Sequence, residues 1–246
     1  MRYRGGVRGT PDPPGSLSAS AIRAIAAIDD DLRRAIYRFI REAGRPITRL
    51  EAATEVGISS RLAAFHLDKL VGAGLLQVRD RSRDIGAVGR RPRIYEPADV
   101  DIVVSIPQRE TDVLASILIE AVLTAPPGDE AGSVAQRVAG RRGEHLGAEV
   151  RGRLRPGRLG AERALTAAAS VLATYGFEPA LASAGCLRLH NCPFSPLSRE
   201  ATDLVCGINH AFLTGLLVGM DASTVHAALR PADKRCCVEL HATPAV

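Results

Sequence analysis

A two-domain α+β protein is the fold class this sequence predicts, and three observations carry it. A helix, a glycine turn, a second helix and a strand pair are packed between Pro46 and Pro97; the charge balance reverses beyond residue 97; and helical and β-branched segments follow one another from there to the end. The length of 246 residues fits two domains of ordinary size. Residues 1–17 are expected to be a tail, 18–98 the first domain and 99–246 the second. Apolar residues make up 46% of the chain with no tryptophan, so the cores are built from Ala, Val, Leu and Ile.

The opening MRYRGGVRGTPDPPGS is basic and rich in Gly and Pro, without the apolar run of a secretion signal, and is expected to be disordered. Leu17 to Ala43 reads as helical, with Ile22, Ile25, Leu32, Ile36, Phe39 and Ile40 as its apolar stripe. Thr48 to Val56 is a short helix opened by a hydroxyl that accepts from the free N–H groups of the first turn, and Glu51 completes a capping box. Gly57 permits a sharp turn through positive φ. Ser59 to Val71 is the second helix, with Ala63, Leu67 and Leu70 at core spacing, which leaves Ser60, Arg61, Ala64, Phe65 and Asp68 outside. Gly72 and Gly74 end it, Leu75 to Arg79 is a strand, and Arg93 to Glu96 is its return partner. The intervening loop, Asp80 to Pro92, carries Arg81, Arg83, Arg90 and Arg91.

That order is the pattern of a winged helix-turn-helix, whose second helix enters the major groove of DNA. Arg61 is the expected base reader, since a guanidinium bonds two acceptors of one guanine, while Thr48, Ser59 and Ser60 are placed near phosphate and Ala64 on the reading face. Phe65 either lies against a thymine methyl or covers the domain's own apolar surface, the commoner fate of a lone aromatic. Arg81, Arg83, Arg90, Arg91 and Arg93 are expected to hold phosphates or reach the minor groove. The competing reading is a winged-helix module that binds protein instead. Charge favours nucleic acid: residues 1–97 carry 18 Lys+Arg against 11 Asp+Glu, a balance of +7, whereas 98–246 carry 14 against 16, a balance of −2.

Beyond Pro97, Val100 to Ile106 reads as a strand stopped by Pro107, and Arg109 to Leu123 as a helix with apolar residues at 113, 114, 117, 118 and 121. That helix is a candidate for dimerisation. Residues 125–133 form a loop, with helices over Val134 to Arg153 and Ala161 to Tyr175. A strand at Cys186 to His190, a long helix near Ser198 to Gly219 and a last strand near Cys236 to Leu240 complete the second domain. No stretch approaches the ~20 apolar residues that cross a bilayer. A cytoplasmic protein with reduced thiols and no membrane partner is expected.

Cys192, Cys206, Cys236 and Cys237 each stand at an edge of an expected element, and converging thiolates suit a soft metal or an iron-sulfur cluster. Cys206 and His210 are four apart on a helix, hence on one face. Strand alternation would turn Cys236 and Cys237 to opposite sides unless the chain is irregular there. The plain alternative is that these are buried small side chains, the role assigned to Cys186. Cys192 with His190 or His210 can be drawn as a nucleophile and base, but nothing in the sequence fixes their geometry, no phosphate-cradling glycine loop appears and no paired-carboxylate spacing stands out, so no enzyme is expected.

The run SSRLAAFHLDKLVGAGLL with GRRPRIYEP resembles the DNA-binding half of bacterial ArsR- and DeoR-like regulators akin to the repressor of the Suf iron-sulfur assembly operon. LRLHNCPFSPL, LVCGINHAFLTGLLVG and RCCVEL are similar to their C-terminal domain, and the likeness runs from about residue 30 to 240. The resemblance implies a homodimer that binds a double-stranded DNA operator according to the state of an iron-sulfur cluster. It makes Cys192, Cys206 and Cys236 or Cys237 the ligands. Some members carry a further cysteine where this chain has Met220 and Asp221, which leaves the fourth ligand open among Asp221, His210 and Cys237. Zinc, or no metal with an apolar small-molecule effector, is the alternative.

Overall fold

The computed structural model describes residues 19–80, 93–154, 157–231 and 235–243. The chain divides between Val104 and Ser105 into two compact units. The expected tail and the wing arginines Arg81, Arg83, Arg90 and Arg91 lie outside the described residues.

The first unit contains α1 (Ala19–Ile28), α2 (Asp31–Glu42), β1 (Ile47–Thr48), α3 (Arg49–Glu55), α4 (Ser60–Gly72), β2 (Leu76–Asp80) and β3 (Arg93–Pro97). The single helix expected over Leu17 to Ala43 is two helices. Asp30 breaks it by accepting the Arg33 N–H and capping α2, because a short acidic side chain satisfies a free first-turn donor better than continued helix does. The expected stripe fails at its start: Ala21 and Ala24 are the buried residues of α1, and Ile22 and Ile25 are exposed. The sheet runs β1-β3-β2, antiparallel throughout, with Ile47 opposite Tyr95 and Val78 opposite Tyr95 on the other side. Ile36 and Ile40 of α2, Ala52 of α3, and Leu67 and Leu70 of α4 form the core beneath it, with Ile47 and Tyr95. β1 is absent from the sequence reading, since two residues carry no periodicity.

The second unit contains α5 (Thr111–Thr124), α6 (Ala131–Arg153), α7 (Ala161–Thr174), β4 (Pro179–Ser183), β5 (Cys186–Leu189), α8 (Leu197–Glu200), α9 (Thr202–Gly219), β6 (Val225–Leu229) and β7 (Val238–Ala242). Its four-stranded sheet has the order β4-β5-β7-β6 with antiparallel pairs. The β-branched run from Val100 joins neither sheet as a strand. Val100, Val103 and Ile106 are exposed, and residue type alone does not make a strand without a partner. The long helix expected from Ser198 is split at Ala201 into α8 and α9. On α5 the expected stripe is correct, with Leu114, Ile117 and Ala121 buried.

Two helices of this unit touch through glycine. A Cβ on Gly143 or Gly147 of α6 would overlap the carbonyl oxygen of Phe212 or Leu216 on α9, and one on Gly215 or Gly219 would overlap that of Gly140 or Glu144 on α6. Only hydrogen fits there, so the two backbones run in contact. α9 is 18 residues long and meets a membrane-spanning criterion of length and composition, as the core helix of a water-soluble unit can. Its Val205, Ile208, Phe212, Leu213 and Leu216 belong instead to the core of this unit.

Candidate nucleic-acid interface and cysteine site

α4 is held by its inner face and open on its outer one. Ser59 caps it by accepting the Leu62 N–H at 3.2 Å, and Ala63, Leu67 and Leu70 are fully buried. His66, also buried, turns Nδ1 toward Asp30 at 3.9 Å. The residues expected on the reading face are there: Arg61, Phe65 and Asp68 are exposed, and Ser60 and Ala64 are half-buried. Phe65 is 53% exposed and stands on the outer face of α4. Its ring carries the Lys69 ammonium 5.5 Å from the centroid and meets His66 edge-on. Lys69 was missed, although its position one turn beyond Phe65 was visible in the sequence.

Thr48 has both ends of its hydroxyl in use. It accepts the Glu51 N–H at 3.3 Å and donates to Glu51 Oε2 at 2.7 Å, while the Thr48 N–H donates to the same oxygen. The hydroxyl first of all, then that N–H and the nearby Arg45, lower the Glu51 carboxyl to about 2. Thr48 is thus committed to the cap of α3. Arg93, on β3, is exposed and lies 3.9 Å from Asp68 of α4, so strand and reading helix share an ion pair.

The four cysteines singled out by sequence meet as two pairs. Cys192 follows β5, Cys206 is in the first turns of α9, and Cys236 and Cys237 stand just before β7. Because these last two precede the strand, alternation does not separate them. The thiols of Cys192 and Cys236 face each other closely enough for each to shift the other. Cys236 draws the Cys192 thiol below the ordinary thiol range against the effect of burial, helped by the Ser198 hydroxyl, the Phe194 N–H and the Arg109 charge. Cys192, and then burial, push the Cys236 thiol up, so Cys236 keeps the proton. Cys206 and Cys237 form a disulfide with Cα atoms 6.3 Å apart, where the compartment argument expects free thiols.

The surroundings are built to hold the Cys192 loop. Arg109 donates to Asn191 Oδ1 at 2.5 Å and to the Cys192 carbonyl at 3.0 Å, and Asn191 donates to the carbonyls of Gln108 and Gly176. Asn209, one turn after Cys206 on α9, donates its amide to Cys236 Sγ at 3.1 Å. Its Oδ1 is buried with no hydrogen-bond partner among the described residues.

Of the residues left open for a fourth ligand, Cys237 is the one beside Cys206. His210 is turned to β6, its Nε2 3.2 Å from the Ala227 carbonyl. Asp221 is exposed in a left-handed turn past the end of α9, about 22 Å along the axis from Cys206 at 1.5 Å per residue. Asn209, Arg109 and Asn191 escaped the sequence reading. The one-turn spacing of Asn209 from Cys206 was a signal; the other two act across distances in sequence that only the fold closes.

Residues 28–79 match the model of a family described as a helix-turn-helix domain. Among solved structures, the chain is similar to the homodimeric winged helix-turn-helix DNA-binding domain of a possible ArsR-family transcriptional regulator from Mycobacterium bovis. The identity is 18%, the match covers 50% of this chain and 98% of that one, and the TM-score is 0.29. No curated protein matches. With two capped helices about a glycine turn and a strand pair beyond them, the first unit is a winged helix-turn-helix domain, and a mixed helix and sheet unit follows it.

Proposed function

We propose that the chain is a homodimeric DNA-binding transcription regulator whose second unit senses an iron-sulfur cluster through Cys192, Cys206, Cys236 and Cys237. The observation that carries this is that four cysteines from three separate parts of the chain stand as two pairs, Cys192 with Cys236 and Cys206 with Cys237, joined through the adjacent residues Cys236 and Cys237. Such a donor set fits a cluster, which requires thiolate sulfur and is tuned by hydrogen bonds to its sulfurs. When bound, the cluster would supply a centre whose presence or oxidation level distinguishes two states of the protein.

The chain's own residues do the rest. Arg109 and Asn191 hold the Cys192 loop in place, and Asn209 orients Cys236. As a disulfide, Cys206 and Cys237 offer no thiolate; its two-electron reduction by a thiol reductant restores both, so thiol state is a natural second input to the same site. In the first unit, Arg61 reads a base from the outer face of α4 while exposed arginines hold phosphate. For sensing to reach DNA, the two states must differ in operator affinity.

The test is iron and acid-labile sulfide analysis with a visible absorption spectrum on the full chain purified anaerobically under reductant. A parallel gel-shift on genomic fragments at increasing salt follows DNA binding. Brown protein with sulfide is expected, along with a salt-sensitive shift that changes when the cluster is removed. A Cys192→Ala, Cys206→Ala double variant with unaltered iron content and unaltered DNA binding would sink the sensing role.

A further inference from the structure

The sheet of the second unit has a second set of metal-type donors on the face turned away from its core. Leu187, Leu189, Val238, Leu240 and Val225 point inward and are buried. Strand alternation therefore places Cys186, Arg188, His226, Glu239 and His241 on the other face. Register then aligns three of them: Cys186 of β5 is directly opposite His241 of β7, and His241 is directly opposite His226 of β6. The row crosses three adjacent strands, and Glu239 is the next residue of β7 on the same face.

The donor atoms converge. Cys186 Sγ, a Glu239 carboxylate oxygen and a His241 ring nitrogen all lie within 4.8 Å of one another. Glu239 Oε2 is 3.0 Å from His241 Nε2 and 4.0 Å from Cys186 Sγ. Bonds of about 2.0–2.3 Å to a tetrahedral zinc place ligand atoms roughly 3.3–3.8 Å apart, a spacing those two distances bracket. His226 lies beside them, its ring stacked on His241 with centroids 5.8 Å apart.

A buried carboxylate needs a counter-charge, and Glu239, only 5% exposed, has one: Arg188 and Arg235 approach its Oε1 at 3.1 and 3.4 Å. That neutralisation accounts for one oxygen. It does not account for a thiol and an imidazole on the other, aligned by sheet register. The arginines act as the outer partners that orient a ligating carboxylate. Both are partly open to solvent, which screens their repulsion of a cation.

We propose that this face holds a divalent metal of the zinc class, ligated by Cys186 Sγ, Glu239 Oε2 and His241 Nε2, with His226 closing the fourth position. The site is separate from the four cysteines discussed above and does not depend on their role.

Cobalt(II) is the probe, because a thiolate ligand gives it a charge-transfer band that oxygen and nitrogen ligands do not. The full chain, stripped by chelator and reduced, is titrated as a Cys192→Ser, Cys206→Ser double variant, which removes one thiol of each pair at the other site and leaves Cys236 and Cys237, so that loss of the band on adding Cys186→Ser assigns it, and as wild type. The expected result is one equivalent bound by the double variant with a sulfur-to-cobalt band. Adding Cys186→Ser abolishes the band, and His226→Ala, a change at an exposed residue that spares the fold, weakens binding roughly 10-fold or more. Circular dichroism reports whether each variant is folded. A double variant that binds no cobalt while folded, or a Cys186→Ser protein that keeps the same band, overturns the proposal. So does His226→Ala binding as tightly as its parent, for the fourth position.

Discussion

Asn209 donates to the Cys236 sulfur at 3.1 Å while the oxygen of the same amide is buried with no partner among the described residues. A buried side chain that meets half its hydrogen-bonding capacity is costly unless its orientation serves another group, and the group it serves is Cys236. On the proposed cluster site, Asn209→Ala is therefore expected to weaken cluster retention by about 10- to 100-fold, the usual effect of losing an outer partner of a ligand. Competition with a chelator measures it; unchanged retention would reduce Asn209 to ordinary packing.

The glycine contact between α6 and α9 makes a paired prediction. Gly143→Ala would force a methyl into the Phe212 carbonyl and should destabilise the second unit by about 1–3 kcal/mol. At Gly140 the added carbon would meet Ala211 O at 3.7 Å, an ordinary contact. Gly140→Ala should then stabilise the helix by roughly 0.5–1 kcal/mol through lower backbone entropy. Thermal unfolding of the two variants distinguishes them by sign.

The capping box of α3 predicts an acid dependence. Thr48 and Arg45 hold the Glu51 carboxyl near 2, below its ordinary 4.5, so its ionised form is favoured in the folded state. The stabilisation is present above 4.5 and is lost as pH falls from there through about 2. The difference in Tm between wild type and Glu51→Gln should be largest near neutrality and vanish at the acid end. Thr48→Ala should cost about 1 kcal/mol at neutral pH.

The outer face of α4 separates stability from binding. Phe65 is exposed, so Phe65→Ala should change folding stability by no more than about 0.5 kcal/mol, yet lower affinity for operator DNA. Arg61→Ala should remove about 1–3 kcal/mol of discrimination at a single base pair, read by gel-shift across a panel of substituted sites. Equal loss at every site would assign Arg61 to phosphate instead.

What could be read from the sequence was what local chemistry decides. The Thr48 and Glu51 cap, the Ser59 cap and the positive φ of Gly57 all act within a few residues, and each is in the structure as expected. β4 and β6 were not legible: Pro179–Ser183 and Val225–Leu229 are rich in alanine and become strands through pairing with β5 and β7. The break at Asp30 was missed because the apolar period on either side looked continuous, while one cap overrode it. Cysteine positions could be listed in advance, but which sulfur meets which depends on where α9 lies against the sheet. Cys186 was set aside as packing because its partners, Glu239 and His241, are more than fifty residues away and are brought to it only by register.

Cys236 and Cys237 are consecutive, so one peptide unit is the crossbar between the two sulfur pairs. The next residue, Val238, begins β7, an interior strand of the sheet, hydrogen-bonded on both sides. That strand cannot slip without breaking ladders on two flanks. The same strand carries Glu239 and His241, so β7 has the sulfur pairs at its entry and the outer-face donors along its length.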